Sequence, residues 1–125
     1  MASINVKSSE FEALITKGGT VLVDFWAEWC GPCRAFGPVY EKLSEQYPEI
    51  VFAKVDTEAE REIASAAGIT SIPTLMAFRD GILLYREAGA LPEGPLQQLI
   101  DQVQNLDMDA IRAEIAKESA DAKGE

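Results

Sequence analysis

The stretch Val21-Leu22-Val23-Asp24-Phe25-Trp26-Ala27-Glu28-Trp29-Cys30-Gly31-Pro32-Cys33 decides how the rest of the chain is read. Val21 to Ala27 is apolar on both faces apart from Asp24, the pattern of a central strand covered from both sides in a parallel sheet. A turn containing Gly31 and Pro32 follows. From Arg34 onward the periodicity is helical, carrying Phe36, Val39, Tyr40, Leu43 and Tyr47 up to Pro48. Two thiols separated by two residues therefore stand where a strand runs into a helix. That spacing lets the sulfurs close a small disulfide ring and sets Cys30 beside the unpaired N–H groups of a helix start. No other cysteine exists in the chain.

Upstream, Ser3–Lys7 alternates and reads as an edge strand. Ser9 and Glu12 have capping-box spacing ahead of a helix through Phe11, Leu14 and Ile15, stopped by Gly18-Gly19. Downstream, Ile50–Val55 is a second buried strand and Glu58–Ala67 a short helix ended by Gly68. Ile72-Pro73-Thr74 precedes the apolar run Leu75–Phe78, and Asp80-Gly81 signals a hairpin into Ile82–Tyr85. Pro95–Asn105 is helical, with Leu96, Leu99, Ile100 and Val103 on one face, and Pro38 predicts a kink in the helix after Cys33. Strands alternating with helices, closed by a hairpin, predict a three-layer α/β domain over residues 1–105. Residues 106–125 form an acidic extension. Asp107 caps a short helix whose stripe Met108, Ile111 and Ile115 docks on its own domain or, alternatively, on a partner, and the chain past Glu118 is expected to fray.

The chain has 125 residues, a net charge of −10 and no His. Phosphates would repel it, so nucleic acid and anionic membranes are excluded as expected partners. Its N-terminus lacks a secretory pattern and no stretch reaches membrane-spanning length, so a reducing compartment is expected. There, a lone Cys-x-x-Cys is catalytic or metal-binding more often than structural. Without His, acid–base steps fall to a carboxylate, a Lys, a Tyr or water.

A thiolate attacks disulfides, and a helix N-terminus stabilises negative charge on the Cys30 sulfur. Pro32 contributes the φ of a first helical turn. Cys33, three residues in and expected to be less exposed, is the resolving thiol. Asp24 precedes Cys30 by six residues in an otherwise apolar strand; burial raises its pKa, which suits it to accept the Cys33 proton. The alternative reading, compatible with that role, pairs Asp24 with a cation such as Lys54. Zinc requires four ligands where this chain supplies two Cys and no His, so no metal is expected. A purely structural bridge would close too short a loop to remove much unfolded-state entropy.

Val23 to Cys33 followed by Pro38 resembles the active-site strand and helix of the thioredoxin family. Ile72-Pro73-Thr74-Leu75 resembles its cis-proline loop, Gly89-Ala90 its groove segment, and Asp80-Gly81 its hairpin turn, while Lys54 and Asp56 fall in the matching strand. The likeness spans roughly residues 5 to 105. It implies a five-stranded mixed sheet flanked by four helices, and reduction of protein disulfides in the cytoplasm through a mixed-disulfide intermediate. Cys30 carries over as nucleophile, Cys33 as resolving thiol, Asp24 as buried proton acceptor and Lys54 as its supporting cation. Pro73 would be a cis-proline facing the disulfide, although the residues alone favour an ordinary trans bond. The Ile72 backbone would pair with an extended substrate, and Trp29, Gly31, Pro32, Gly89 and Ala90 would line the groove.

The resemblance further implies no bound cofactor, a monomer, disulfide-containing protein substrates, and electrons from NADPH through a flavin-containing thioredoxin reductase. The Gly-Pro pair between the cysteines resembles reducing members, since oxidant and isomerase relatives tend to carry His there. Arg34 replaces a frequent Lys, Leu91-Pro92-Glu93-Gly94-Pro95 is richer in proline than the pattern, and the tail after Asn105 lies outside it. A second reading from another class remains: a binding subunit of this fold whose redox chemistry is incidental, motivated by the acidic tail.

Overall fold

A computed structural model describes residues 2–123. The elements run β1 (Ile4–Asn5), α1 (Ser8–Thr16), β2 (Thr20–Trp26), α2 (Gly31–Gln46), β3 (Val51–Asp56), α3 (Arg61–Ala66), β4 (Thr74–Arg79), β5 (Ile82–Ala88), α4 (Glu93–Gln104) and α5 (Met108–Lys123). The apolar run becomes the middle strand of one five-stranded sheet, ordered β1-β3-β2-β4-β5. β2 pairs parallel to β3 and antiparallel to β4, so the sheet is mixed.

Two cores follow from the alternation along β2. Leu22, with Phe52, Leu75 and Ala77, packs against Phe36, Tyr40 and Leu43 of α2 and Leu96, Ile100 and Val103 of α4. Val21, Val23 and Phe25, with Val55, Met76 and Phe78, pack against Phe11, Leu14 and Ile15 of α1 and Ile63 and Ala67 near α3. Both faces are covered, which is why Val21–Phe25 reads as an apolar run rather than an alternation.

Local details differ from the sequence reading in three places. The cap of α1 is Lys7, whose N–H donates to Glu10 Oε1 at 3.0 Å, rather than Ser9 with Glu12. The Ser8 hydroxyl is free to accept from the Ile63 N–H at 3.3 Å, which ties α1 to α3. α3 starts at Arg61 instead of Glu58, because Asp56 Oδ1 accepts from the N–H groups of Glu58 and Ala59 and holds those residues in a turn. α5 continues to Lys123, past the Glu118 at which fraying was expected; its run of Ala, Glu and Lys has high helix propensity.

Asp80-Gly81 turns the β4–β5 hairpin with both residues at positive φ, 54° and 82°, as a two-residue primed turn demands. This hairpin lies at the end of the sheet where β2 begins, since Arg79 pairs with Thr20. There the extension docks. Met108 is buried, Asp107 Oδ1 accepts from the Ala110 N–H at 3.1 Å, and Arg112 reaches Asp80 at 3.4 Å. The Ile115 end of the stripe stays exposed.

The half-buried Arg79 donates through Nη1 to the carbonyls of Val103, Gln104 and Leu106 at 2.9, 3.1 and 3.0 Å, closing the C-terminus of α4 where no basic residue of its own is available. Arg79→Met removes this donor from all three carbonyls, leaving Val103 with only backbone N–H partners. It is expected to cost about 2–3 kcal/mol of unfolding free energy, measured by urea denaturation at pH 7.

Candidate active site

Residues 27–30 make a turn closed by the Cys30 N–H on the Ala27 carbonyl at 3.2 Å, and Cys30 is the N-cap of α2. Gly31 and Pro32 occupy the first helical positions, so the helix starts three residues before Arg34. The side chain of the cap accepts from the first turn: Cys33 N–H donates to Cys30 Sγ at 3.2 Å. The two sulfurs are joined in a disulfide, with Cα atoms 5.2 Å apart.

The expected difference in exposure is nearly absent, since Cys30 is 4% and Cys33 3% exposed. What separates them is the cap, because the helix N-terminal N–H serves the Cys30 sulfur alone. The Cys30 sulfur lies against the neighbouring loop, and Cys33 is among the buried residues of α2.

That loop is Ile72-Pro73, whose peptide bond is cis, as the resemblance implies and the residues alone did not. The Ile72 carbonyl oxygen lies 3.7 Å from Cys30 Sγ. Gly89, at φ 111°, donates its N–H to the Pro73 carbonyl at 2.8 Å and so draws the end of β5 toward the loop. A side chain would be strained at that φ. Gly31, Pro32, Gly89 and Ala90 are exposed, Ile72 is half-buried, and Pro73 is buried. Trp29 projects from the turn at 69% exposure, with its indole N–H donating to Glu58 Oε1 at 2.8 Å.

Asp24 lies in β2 on the α2 side of the sheet. It is 1% exposed, and neither carboxyl oxygen has a hydrogen-bond partner. Burial pushes its pKa up to about 7, against the lowering influence of Lys54. The alternative reading of an Asp24–Lys54 ion pair is not what the structure forms. The two residues are register partners across β2 and β3, but Lys54 Nζ sits over the Trp26 ring, 4.6 Å from its centroid.

Tyr40, fully buried on α2, donates its hydroxyl proton to the Ala53 carbonyl at 2.7 Å. Burial, followed by the nearby charge of Asp24, raises its pKa well above the ordinary phenol value.

The structure thus brings the Ile72-Pro73 loop to the Cys30–Cys33 disulfide, ties Gly89 to that loop, leaves Trp29 exposed on the turn before Cys30, and places Asp24 in the strand that leads to the cysteines, with Lys54 beside it on β3. Sequence reasoning missed Trp26, Tyr40 and Glu58. Trp26 was findable, two residues from Asp24 in a strand and hence on its face. Tyr40 looked like core, and Glu58 meets Trp29 only through tertiary structure.

Comparison with known proteins agrees with this geometry. The thioredoxin family profile matches residues 2–102. A Streptomyces coelicolor protein named putative thioredoxin 2 is 49% identical over 121 residues, covering 97% of this chain and 90% of its own length. Thioredoxin 1 of Synechococcus elongatus is 47% identical over 83 residues, covering 66% of this chain and 78% of its own. A solved structure of Plasmodium falciparum thioredoxin superposes with a TM-score of 0.73 at 38% identity, covering 80% of this chain and 97% of that one. With the Cys30–Cys33 disulfide at a helix N-terminus, these findings mean that the chain belongs to the thioredoxin family and is a thiol–disulfide oxidoreductase that reduces protein disulfides by dithiol–disulfide exchange.

Proposed function

We propose that each residue of the site takes the following part in that exchange. Reduced Cys30, as thiolate, attacks one sulfur of a substrate disulfide; a Cys30–substrate bond forms, the substrate S–S bond breaks, and one substrate thiolate leaves. Cys33 then passes its proton to Asp24, directly or through a water, and attacks the Cys30 sulfur. The Cys30–Cys33 bond forms, the second substrate thiolate leaves, and two electrons have moved from the protein dithiol to the substrate. The single observation that carries the division of labour is the cap: the Cys33 N–H aimed at Cys30 Sγ stabilises a thiolate there and at no other sulfur.

Trp29, Gly31, Pro32, Ile72, Pro73, Gly89 and Ala90 form the groove, and the Ile72 backbone pairs with an extended segment of substrate. Support comes from the Ile72 carbonyl beside Cys30 and from the exposure of the surrounding residues. Lys54 supports Asp24 by limiting how far burial raises its pKa.

The protein acts as a monomer in the cytoplasm, apart from nucleic acid and membranes, without bound cofactor or metal. Residues 1–105 form its catalytic domain and residues 106–125 an accessory extension. No helix among the described residues is long and apolar enough to cross a membrane.

Oxidised protein is returned to the dithiol by a flavin-containing thioredoxin reductase using NADPH. In a coupled assay, NADPH oxidation is expected only when reductase, this protein and a disulfide-containing protein are all present. If a chemical dithiol sustains substrate reduction but no flavin reductase does, the electron source is different. An insensitive substrate reduction rate in both systems would instead favour the binding-subunit reading.

A further inference from the structure

Asp24 has two buried oxygens without a partner, although two donor side chains lie close enough to it for their charges to influence one another. One is Tyr40, which spends its proton on the Ala53 carbonyl. The other is Lys54, the register partner of Asp24 on β3 and therefore on the same face of the sheet. A lysine stem is long and flexible, and an ammonium opposite a carboxylate in a ladder ordinarily pairs with it. Here the ammonium forms no ion pair among the described residues and lies over the ring of Trp26. Trp26 follows Asp24 by two residues and shares its face. A cleft of about 320 Å³ bordered by Trp26, Lys54, Asp56 and Glu60 opens beside it, so the amine on the ring keeps contact with solvent.

We propose that Trp26 is a positioning residue for disulfide exchange: its indole face holds the Lys54 ammonium off Asp24 and leaves that carboxyl unpaired, ready for the Cys33 proton. The proposal rests on the reading of Asp24 as proton acceptor. An ammonium in contact would stabilise the ionised carboxylate and make it a weaker base. A tryptophan face is the best aromatic holder of a cation. The other neighbours do not compete for the role. β4 opposes Asp24 with Leu75, α4 presents Leu96 and Ile100 to this core, and α2 contributes Phe36 and Tyr40. Asp56 lies further along β3, opposite Trp26.

The test follows the Asp24 carboxyl by ¹³C NMR across pH in the reduced protein, alongside the pH profile of disulfide reduction. Trp26→Leu is expected to lower the Asp24 midpoint by about one pH unit, and Trp26→Phe by less. In a Lys54→Met background neither substitution should move it. Replacing the tryptophans by their fluorinated analogues keeps the ring's shape while weakening its hold on a cation. It is expected to lower the midpoint progressively with fluorine number, so the test survives a Trp26→Leu protein that does not fold.

A shift of equal size with Met at position 54 overturns the proposal, because the indole would then act only by excluding water. So does an unmoved midpoint in the fluorinated series. A midpoint that shifts as expected while the rate profile stays fixed retains the tether but removes Asp24 from proton transfer, and with it the catalytic role given to Trp26.

Discussion

Cys30→Ser is expected to abolish disulfide reduction, with a fall of at least about a thousandfold, because no other group in the chain can take the place of the capped sulfur. Cys33→Ser should behave differently. Cys30 keeps its position at the N-cap, attack on substrate proceeds, and release fails. The protein then accumulates as a covalent adduct with about one equivalent of substrate, visible by mass spectrometry and on non-reducing gels and discharged by an external thiol. Were the two serine variants equally silent, with no adduct in either, the assignment of attacker and resolver would be wrong. A stable complex that survives both substitutions together would instead point to a binding subunit.

Asp24→Asn carries the second large effect, and its two consequences have opposite signs. Without a carboxylate to receive the Cys33 proton, release of the mixed disulfide is expected to slow by about 10- to 100-fold, water serving as a poorer acceptor. The wild-type rate should rise through pH 7 as Asp24 ionises, and that inflection should vanish in Asp24→Asn.

Stability moves the other way. The folded-state pKa of about 7 lies above the ordinary value of 3.8, so between these limits the folded chain holds a proton that the unfolded chain has lost. Stability is therefore highest below pH 4 with respect to this group, declines as pH rises, and levels off above pH 7. The loss is at most on the order of 4 kcal/mol. Urea denaturation should find Asp24→Asn more stable than the wild type at pH 8 and the advantage gone at pH 4. An advantage that does not depend on pH would show that ionisation of Asp24 is not its source.

Much of this architecture was readable before any coordinates. The run Val21–Phe25, apolar on both faces apart from Asp24, announced a strand covered on both sides, and the periods of the flanking segments placed the helices on either side of it. Asp80-Gly81 located the hairpin because a primed turn tolerates few other residue pairs. Boundaries were less legible where side chains rewrite them. The Asp56 turn delays α3, and Lys7 with Glu10 captures the start of α1 from Ser9.

Within the site, Cys30, Cys33 and Asp24 stood out because their residue types are costly or reactive where they lie. The cis bond before Pro73 left no mark in the residues themselves; only likeness to the family suggested it. The position of the Lys54 amine was equally hidden, since ladder register places Asp24 and Trp26 within its reach and only the packed structure shows which it meets.

The β4–β5 hairpin supplies arginines to two helices that have no basic residue in their own last turns. Arg79 serves the end of α4, while Arg86 donates to the carbonyls of Ala67 and Gly68 just beyond α3, at 2.5 and 2.8 Å. These helices lie on opposite sides of the sheet, so a single antiparallel ribbon stitches both outer layers to the middle one. Unzipping that ribbon would strip the terminal carbonyls of each helix at once, which makes unravelling on the two sides a shared event rather than two separate ones.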